Sequence, residues 1–173
     1  VSIATTTGYA NTDYALWPMF APLWMLFLSS FATSAGSTGG GIKMIRAIVL
    51  YKQVYRELTR AMHPNAVHPI KIGSEVVPPN ILFAVLAFGF MYMVCIVSMT
   101  LALSFSGLEI ITAFSAVVAS INNTGPGLGE VGPANNFSGL SDFQTWVCTF
   151  AMLLGRLEIF TLLVVMTPAF WRK

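Results

Sequence analysis

The chain has 173 residues, of which 55% are hydrophobic and 9% charged, with a formal net charge of +2 and a mean hydropathy of +0.73. Soluble domains carry roughly 25% charged residues, so this composition excludes a soluble globular protein and points to a bilayer as the solvent. The small positive balance sits in one connection, where it sets orientation, and no nucleic-acid partner is expected.

The chain opens with VSIATTTG, Val1 to Gly8, a polar, threonine-rich stretch with no basic leader. No cleavable signal peptide is read there, and the chain is expected to be a fragment or processed part of something longer. From Tyr14 to Thr33 no residue is charged, a stretch long enough to cross a bilayer. SAGSTGGGIK follows at once, from Ser34 to Lys43. Irregular glycine-rich backbone at membrane depth is tolerated only where protein buries it or it lines a water-filled cavity. This pairing suggests a transport path. The same segment approximates a phosphate-binding loop, but Ile42 separates Gly41 from Lys43, Met44 stands where Ser or Thr belongs, and no strand precedes it.

Lys43, Arg46, Lys52, Arg56, Arg60 and Lys71 fill the next connection, and Arg172 and Lys173 end the chain. By the positive-inside rule both regions are expected on the cytoplasmic side. A second uncharged span runs from Ile81 to Phe105. On the opposite side Asp13, Glu109, Glu130 and Asp142 make an acidic face, with no Lys or Arg from Gly107 to Asp142. Cys95 and Cys148 fall within apolar spans, as small hydrophobes rather than a disulfide or metal ligands.

Leu108 to Ile121 is apolar but too short to span, and it runs directly into Asn122, Asn123, Thr124, Gly125, Pro126 and Gly127. A short helix returning as glycine-rich coil predicts a re-entrant loop whose helix presents its negative C-terminal end to a cation. VASINNTG, Val118 to Gly125, shares Val, Thr and Gly with Val1 to Gly8 at the same offsets, and an acid follows five residues after each glycine. Internal repeats of this kind are common in transporter folds. Oxygens of Thr6, Thr7, Asn123 and Thr124 are the candidate ligands for a dehydrated monovalent cation, with Gly8 and Gly125 supplying backbone angles closed to other residues. The alternative that both segments are plain turns stays open. Two N-glycosylation patterns, at Asn122 and Asn136, are read as chance, since the first lies inside the candidate filter.

The third apolar segment, Phe143 to Trp171, contains Arg156 and Glu158 near its middle. A mid-span charge must face protein or water and find a partner. Arg156 is read either as donating to the carbonyls of Ser34 to Gly41, holding that loop across the path, or as packing statically with Glu158 or a neighbouring helix. A membrane enzyme would want a nucleophile with a paired base, and His63 and His68 lie in the cytoplasmic connection. No covalent chemistry and no cofactor are expected. A scaffold whose basic loop recruits a partner is the remaining alternative.

ATSAGSTGGGIK, HPNAV at His63 to Val67, NNTGPGLGEVGP at Asn122 to Pro133 and AMLLGRLEIFTLL at Ala151 to Leu163 together resemble the C-terminal part of Trk-type potassium uptake proteins, the TrkH/TrkG branch of the Trk/Ktr/HKT superfamily. The resemblance implies an all-α membrane protein built from M1-P-M2 pore repeats around one K+ path. On that pattern 1–13 is the end of the third pore loop and 14–60 the third M2, interrupted by a gating loop at 34–41. A cytoplasmic connection follows at 61–79, then the fourth M1 at 80–106, the fourth pore helix and filter at 107–141, and the fourth M2 with the C-terminus at 142–173. It further implies K+ ligands at Thr6, Thr7, Asn123 and Thr124, filter glycines Gly8 and Gly125, and a gate of Ser34, Gly36, Gly39, Gly40, Gly41 and Arg156. The expected setting is the bacterial inner (plasma) membrane. The expected partners are the lipid bilayer, the N-terminal repeats of the same protein, a second copy in a homodimer and a cytosolic nucleotide-binding regulatory subunit of the TrkA kind.

Overall fold

The structure is a computed structural model that describes residues 1–18, 20–31, 40–63 and 68–171, apart from the side chain of Ala169. Ser34, Gly36 and Gly39 of the expected gate, residues 64–67 of the HPNAV motif, and Arg172 and Lys173 lie outside the described residues. A 3-10 turn at Tyr14–Leu16 leads to α1 (Phe20–Phe31) and α2 (Met44–Met62). Two short strands, β1 (Lys71–Ile72) and β2 (Glu75–Val76), precede α3 (Pro79–Phe105) and α4 (Ile110–Ile121). After 3-10 turns at Gly129–Val131 and Phe137–Gly139 come α5 (Asp142–Arg156), α6 (Ile159–Met166) and α7 (Pro168–Trp171).

The second expected span is a continuous helix: α3 has 27 residues, about 40 Å at the α-helical rise, and Pro79 occupies a first-turn position that needs no donor. Among the described residues it is the one helix long and apolar enough to cross a bilayer by itself. The two flanking spans are not continuous. Among its described residues the uncharged stretch 14–33 holds a 12-residue helix and not one continuous span, because Pro18 disfavours helical geometry at the preceding residue and Trp17 is extended, with φ −78° and ψ 163°. The span read over 143–171 breaks after Arg156, and α5 and α6 meet at a bend of 112°. The hinge residue Glu158 has φ 60°, a left-handed conformation that stops the helix and that a non-glycine side chain adopts only under constraint. The basic connection holds the antiparallel β1–β2 hairpin, with Lys71 opposite Val76 and Ile72 opposite Glu75. Gly73 at φ 63° supplies its tight turn.

The core surrounds α4, which packs on α5, α3 and α1. Ala113, Ala116, Val117, Ala119 and Ile121 have no exposed surface, and the small size of the three alanines lets neighbouring backbones come close. Gly155 on α5 is the tightest approach: a Cβ there would overlap the Ile121 carbonyl oxygen. The start of α5 is set by a reciprocal capping box between Ser141 and Gln144, and the Gln144 amide also donates to the Ser106 hydroxyl beyond α3 at 2.9 Å.

Gly155→Ala is expected to cost about 1–3 kcal/mol through overpacking against backbone. Gly139→Ala meets nothing within 4 Å and should stay within about 0.5 kcal/mol of wild type. Thermal unfolding of the whole protein in detergent measures both, and equal midpoints for the two variants would contradict this packing.

Candidate functional site: two matched loop caps

The C-terminus of α4 ends in a Schellman motif. Asn122 N–H donates to the Val118 carbonyl at 3.0 Å, Asn123 N–H to Ser120 at 3.0 Å and Thr124 N–H to Ala119 at 2.9 Å. These six-to-one and five-to-two bonds satisfy carbonyls that a helix end otherwise leaves bare, and they require a left-handed residue just past the cap. That residue is Asn123, with φ 54°. Asparagine tolerates this region better than most side chains.

The opening segment repeats this pattern bond for bond. Thr5 N–H donates to Val1 at 3.0 Å, Thr6 N–H to Ile3 at 3.1 Å and Thr7 N–H to Ser2 at 2.9 Å. Thr6, at the position of Asn123, also has φ 54°. Gly8 and Gly125 follow with φ 82° and 102°. The eight-residue sequence repeat, with three shared residues, is therefore also a repeat of three backbone hydrogen bonds and of positive φ at the same two positions. Thr6 is β-branched and left-handed, an uncommon combination that marks strain held by its surroundings.

The two loops meet. A Cβ on Gly8 would overlap the Thr124 carbonyl oxygen and come within 3.3 Å of Pro126, so only glycine allows this approach. The Tyr14 hydroxyl donates across to the Gly127 carbonyl in a long, 3.5 Å bond. The returning strand is sewn back onto its own helix by Ser115, whose hydroxyl accepts from Leu128 N–H at 2.9 Å and donates to the Leu128 carbonyl at 3.2 Å. A Cβ on Gly125 meets no described atom within 4 Å.

Of the sequence-predicted side chains, Asn123 is turned toward α5, its amide donating to the Met152 carbonyl at 3.3 Å. The Thr7 hydroxyl pairs with that of Thr5 at 2.9 Å. The Thr124 hydroxyl is buried, with no hydrogen-bond partner among the described residues. Asn122, which the sequence reading places inside the candidate filter but not among its ligands, is fully buried. Its amide accepts from the Tyr92 hydroxyl at 2.8 Å and donates to Ser29 and Ser30 at 3.1 and 3.0 Å.

Below the loops a cavity of about 260 Å³ is lined by Gly41, Lys43, Arg46, Ile121, Arg156 and Glu158, among others. Glu158 pairs with Lys43 at 2.5 Å and with Arg46 at 2.8 Å. The hinge acid thus binds the start of α2. Gly40 and Gly41 come against Asn122, where Cβ atoms would lie 2.6 Å from its carbonyl oxygen and 2.7 Å from Oδ1. The described part of the expected gate, Gly40, Gly41 and Arg156, therefore sits beside the base of the α4 loop. Sequence reading missed Tyr92, Ser29, Ser30 and the Lys43–Glu158–Arg46 cluster. Three polar residues inside apolar helices and an acid opposite two bases were the available signals. Among the described residues no group of His, Cys, Asp and Glu is arranged to hold a metal ion.

The sequence model of the TrkH family, described as a cation transport protein, matches residues 1–173. The Trk system potassium uptake protein TrkH of Vibrio parahaemolyticus is 48% identical over 173 residues, covering 100% of this chain and 35% of that protein. The TrkH of Escherichia coli is 46% identical over the same length, also 35% of that protein, and the TrkG of Escherichia coli is 36% identical over 172 residues. This chain thus spans about a third of the length of these curated relatives. The crystal structure of the potassium transporter TrkH from Vibrio parahaemolyticus superposes with a TM-score of 0.91 over 99% of this chain and 36% of that one. A helical membrane-transporter fold, with a re-entrant helix and a broken helix, agrees with that likeness, and the chain belongs to the TrkH family of cation transport proteins.

Proposed function

We propose that this chain is the C-terminal part of a potassium uptake protein and contributes two strands of its selectivity filter. The single observation that carries the reading is the pair of loops, Val1 to Gly8 and Val118 to Gly125, with the same hydrogen bonds, the same left-handed residue and direct contact at Gly8 and Thr124. Backbone oxygens of Thr6, Thr7, Asn123 and Thr124 replace the water around K+, and Gly8 and Gly125 hold the strands in the required turn. Side-chain charge is not needed for this. The negative end of the α4 dipole adds to the attraction for a cation. The ion moves without covalent chemistry, so the protein is a transporter rather than an enzyme.

In this reading the loop from Ser34 to Gly41 and Arg156 form a gate below the filter. The supporting observation is that Gly41 and Arg156 line one cavity with Ile121, the last helical residue before the filter. A guanidinium there is both a five-donor clamp and a positive barrier to a cation. The N-terminal repeats of the same protein supply the other filter strands, and the protein sits in the bacterial inner membrane as a homodimer. Its basic 43–71 connection faces the cytoplasm and meets a nucleotide-binding regulatory subunit of the TrkA kind.

In liposomes carrying the full-length protein, radiolabelled Rb+ uptake should resist excess Na+. Gly125→Val should reduce it by about tenfold or more, since a β-branched residue at φ 102° carries about 1–3 kcal/mol of strain whatever the space around it. A folded variant that conducts like wild type would remove Gly125 from the path, and a folded wild type with no uptake would favour the scaffold reading. Arg156→Ala should raise uptake several-fold while leaving the preference for Rb+ over Na+ unchanged. Unchanged or reduced uptake in that variant would contradict the gate.

A further inference from the structure

Asn122 stands one residue before the left-handed Asn123, yet its own side chain faces away from the loop and into the helices. In this orientation every donor and acceptor of the amide is used. Ser29 and Ser30 spend their hydroxyl protons on the Leu26 carbonyl, at 2.7 and 3.3 Å, so each can only accept from Asn122 Nδ2. Oδ1 is thereby left to accept from Tyr92, 2.8 Å away. Asn122 and Ser29 have no exposed surface and Tyr92 has 2%. The Tyr92 ring lies against Phe88, with centroids 6.3 Å apart, and the Arg46 guanidinium caps Phe88 at 4.3 Å. The Asn122 backbone is hemmed in by Gly40, whose added Cβ would lie 2.6 Å from it. The matching residue of the first loop, Thr5, is exposed and bonds only locally, to Val1, Ser2 and Thr7.

We infer that Tyr92, Asn122 and the Ser29–Ser30 pair form a clasp that sets the position of the Asn123–Thr124 strand, making Tyr92 and Asn122 positioning residues for ion preference rather than ligands. The inference rests on the filter reading above and adds the residues that fix its spacing. Discrimination between two alkali cations depends on where the coordinating oxygens are held and how stiffly. A buried network with every member satisfied gives that stiffness, and losing one partner leaves buried donors or acceptors bare. The clasp reaches α1 through Ser29 and Ser30 and α3 through Tyr92. The strand therefore cannot shift without disturbing both helices.

The test uses the full-length protein in liposomes, with Rb+ uptake measured over a range of Na+ concentrations to separate preference from maximal rate. Tyr92→Phe removes one hydroxyl and keeps the ring. It should lower the preference for Rb+ over Na+ by roughly fivefold, the factor that one net hydrogen bond supports, while maximal uptake stays within about twofold. Ser29→Ala with Ser30→Ala should act in the same direction. Adding Tyr92→Phe to Asn122→Ser should change preference no further than Asn122→Ser alone. Ser98→Ala, which removes a hydroxyl bonded within α3, should match wild type. Tyr92→Phe and the serine pair both keeping wild-type preference would overturn the inference, as would a lower maximal rate at unchanged preference. If Tyr92→Phe does not run monodisperse in detergent, the serine pair alone decides by the same criterion. A folded wild type without Rb+ over Na+ preference would overturn the filter reading and this inference together, and the wild-type measurement identifies that case before any variant is read.

Discussion

A helix that ends buried among apolar neighbours leaves backbone groups with no water to take them, and each unpaired group costs several kcal/mol. The end of α4 is built around that cost. Its Schellman bonds recover the amides of Asn122, Asn123 and Thr124, Ser115 takes both backbone groups of Leu128, and Gly155 lets α5 press against the Ile121 carbonyl. With the amides paired inward, the loop is left with its oxygens, the groups that the proposed function assigns to a cation. The left-handed Thr6 and Asn123 follow from the same cap geometry, as do the glycines after them.

The second constraint is charge among apolar helices. Arg46, Lys43, Arg156 and Glu158 line one cavity, and a charge beside or within an apolar segment must find a partner or water. Glu158 meets the requirement for two of the bases at once, and it does so from a backbone conformation that breaks the helix. The bend between α5 and α6 and the start of α2 are thus held by the same carboxylate. From Arg46 the packing continues through Phe88 and Tyr92 to Asn122. One contiguous set of contacts therefore joins the start of α2, just after the glycine-rich segment, to the base of the α4 loop.

Much of this was legible in the sequence because it is written in runs and repeats. The uncharged stretch over 81–105 is α3, the short apolar run over 108–121 is α4, and the VSIATTTG and VASINNTG repeat is a repeat of backbone conformation. Breaks set by single residues were harder to see. Pro18 delays the start of helix in the first apolar stretch, and the bend at Glu158 divides a segment whose hydropathy reads as one span. The partners of Asn122 lie far from it in the chain, 93 and 92 residues away at Ser29 and Ser30 and 30 at Tyr92. Each looks like an incidental polar residue in an apolar helix until the fold brings them together. For the same reason Glu158 was weighed against Arg156, its neighbour in sequence, rather than against Lys43 and Arg46.

The central claim is that the two matched loops surround one ion. Crystals of the full-length protein grown in Rb+ would test it most directly, because anomalous scattering locates Rb+ independently of the protein density. The account predicts Rb+ between the backbone oxygens of Thr6 and Thr7 and those of Asn123 and Thr124. Rb+ bound elsewhere along the path, with these oxygens facing only protein, would contradict it.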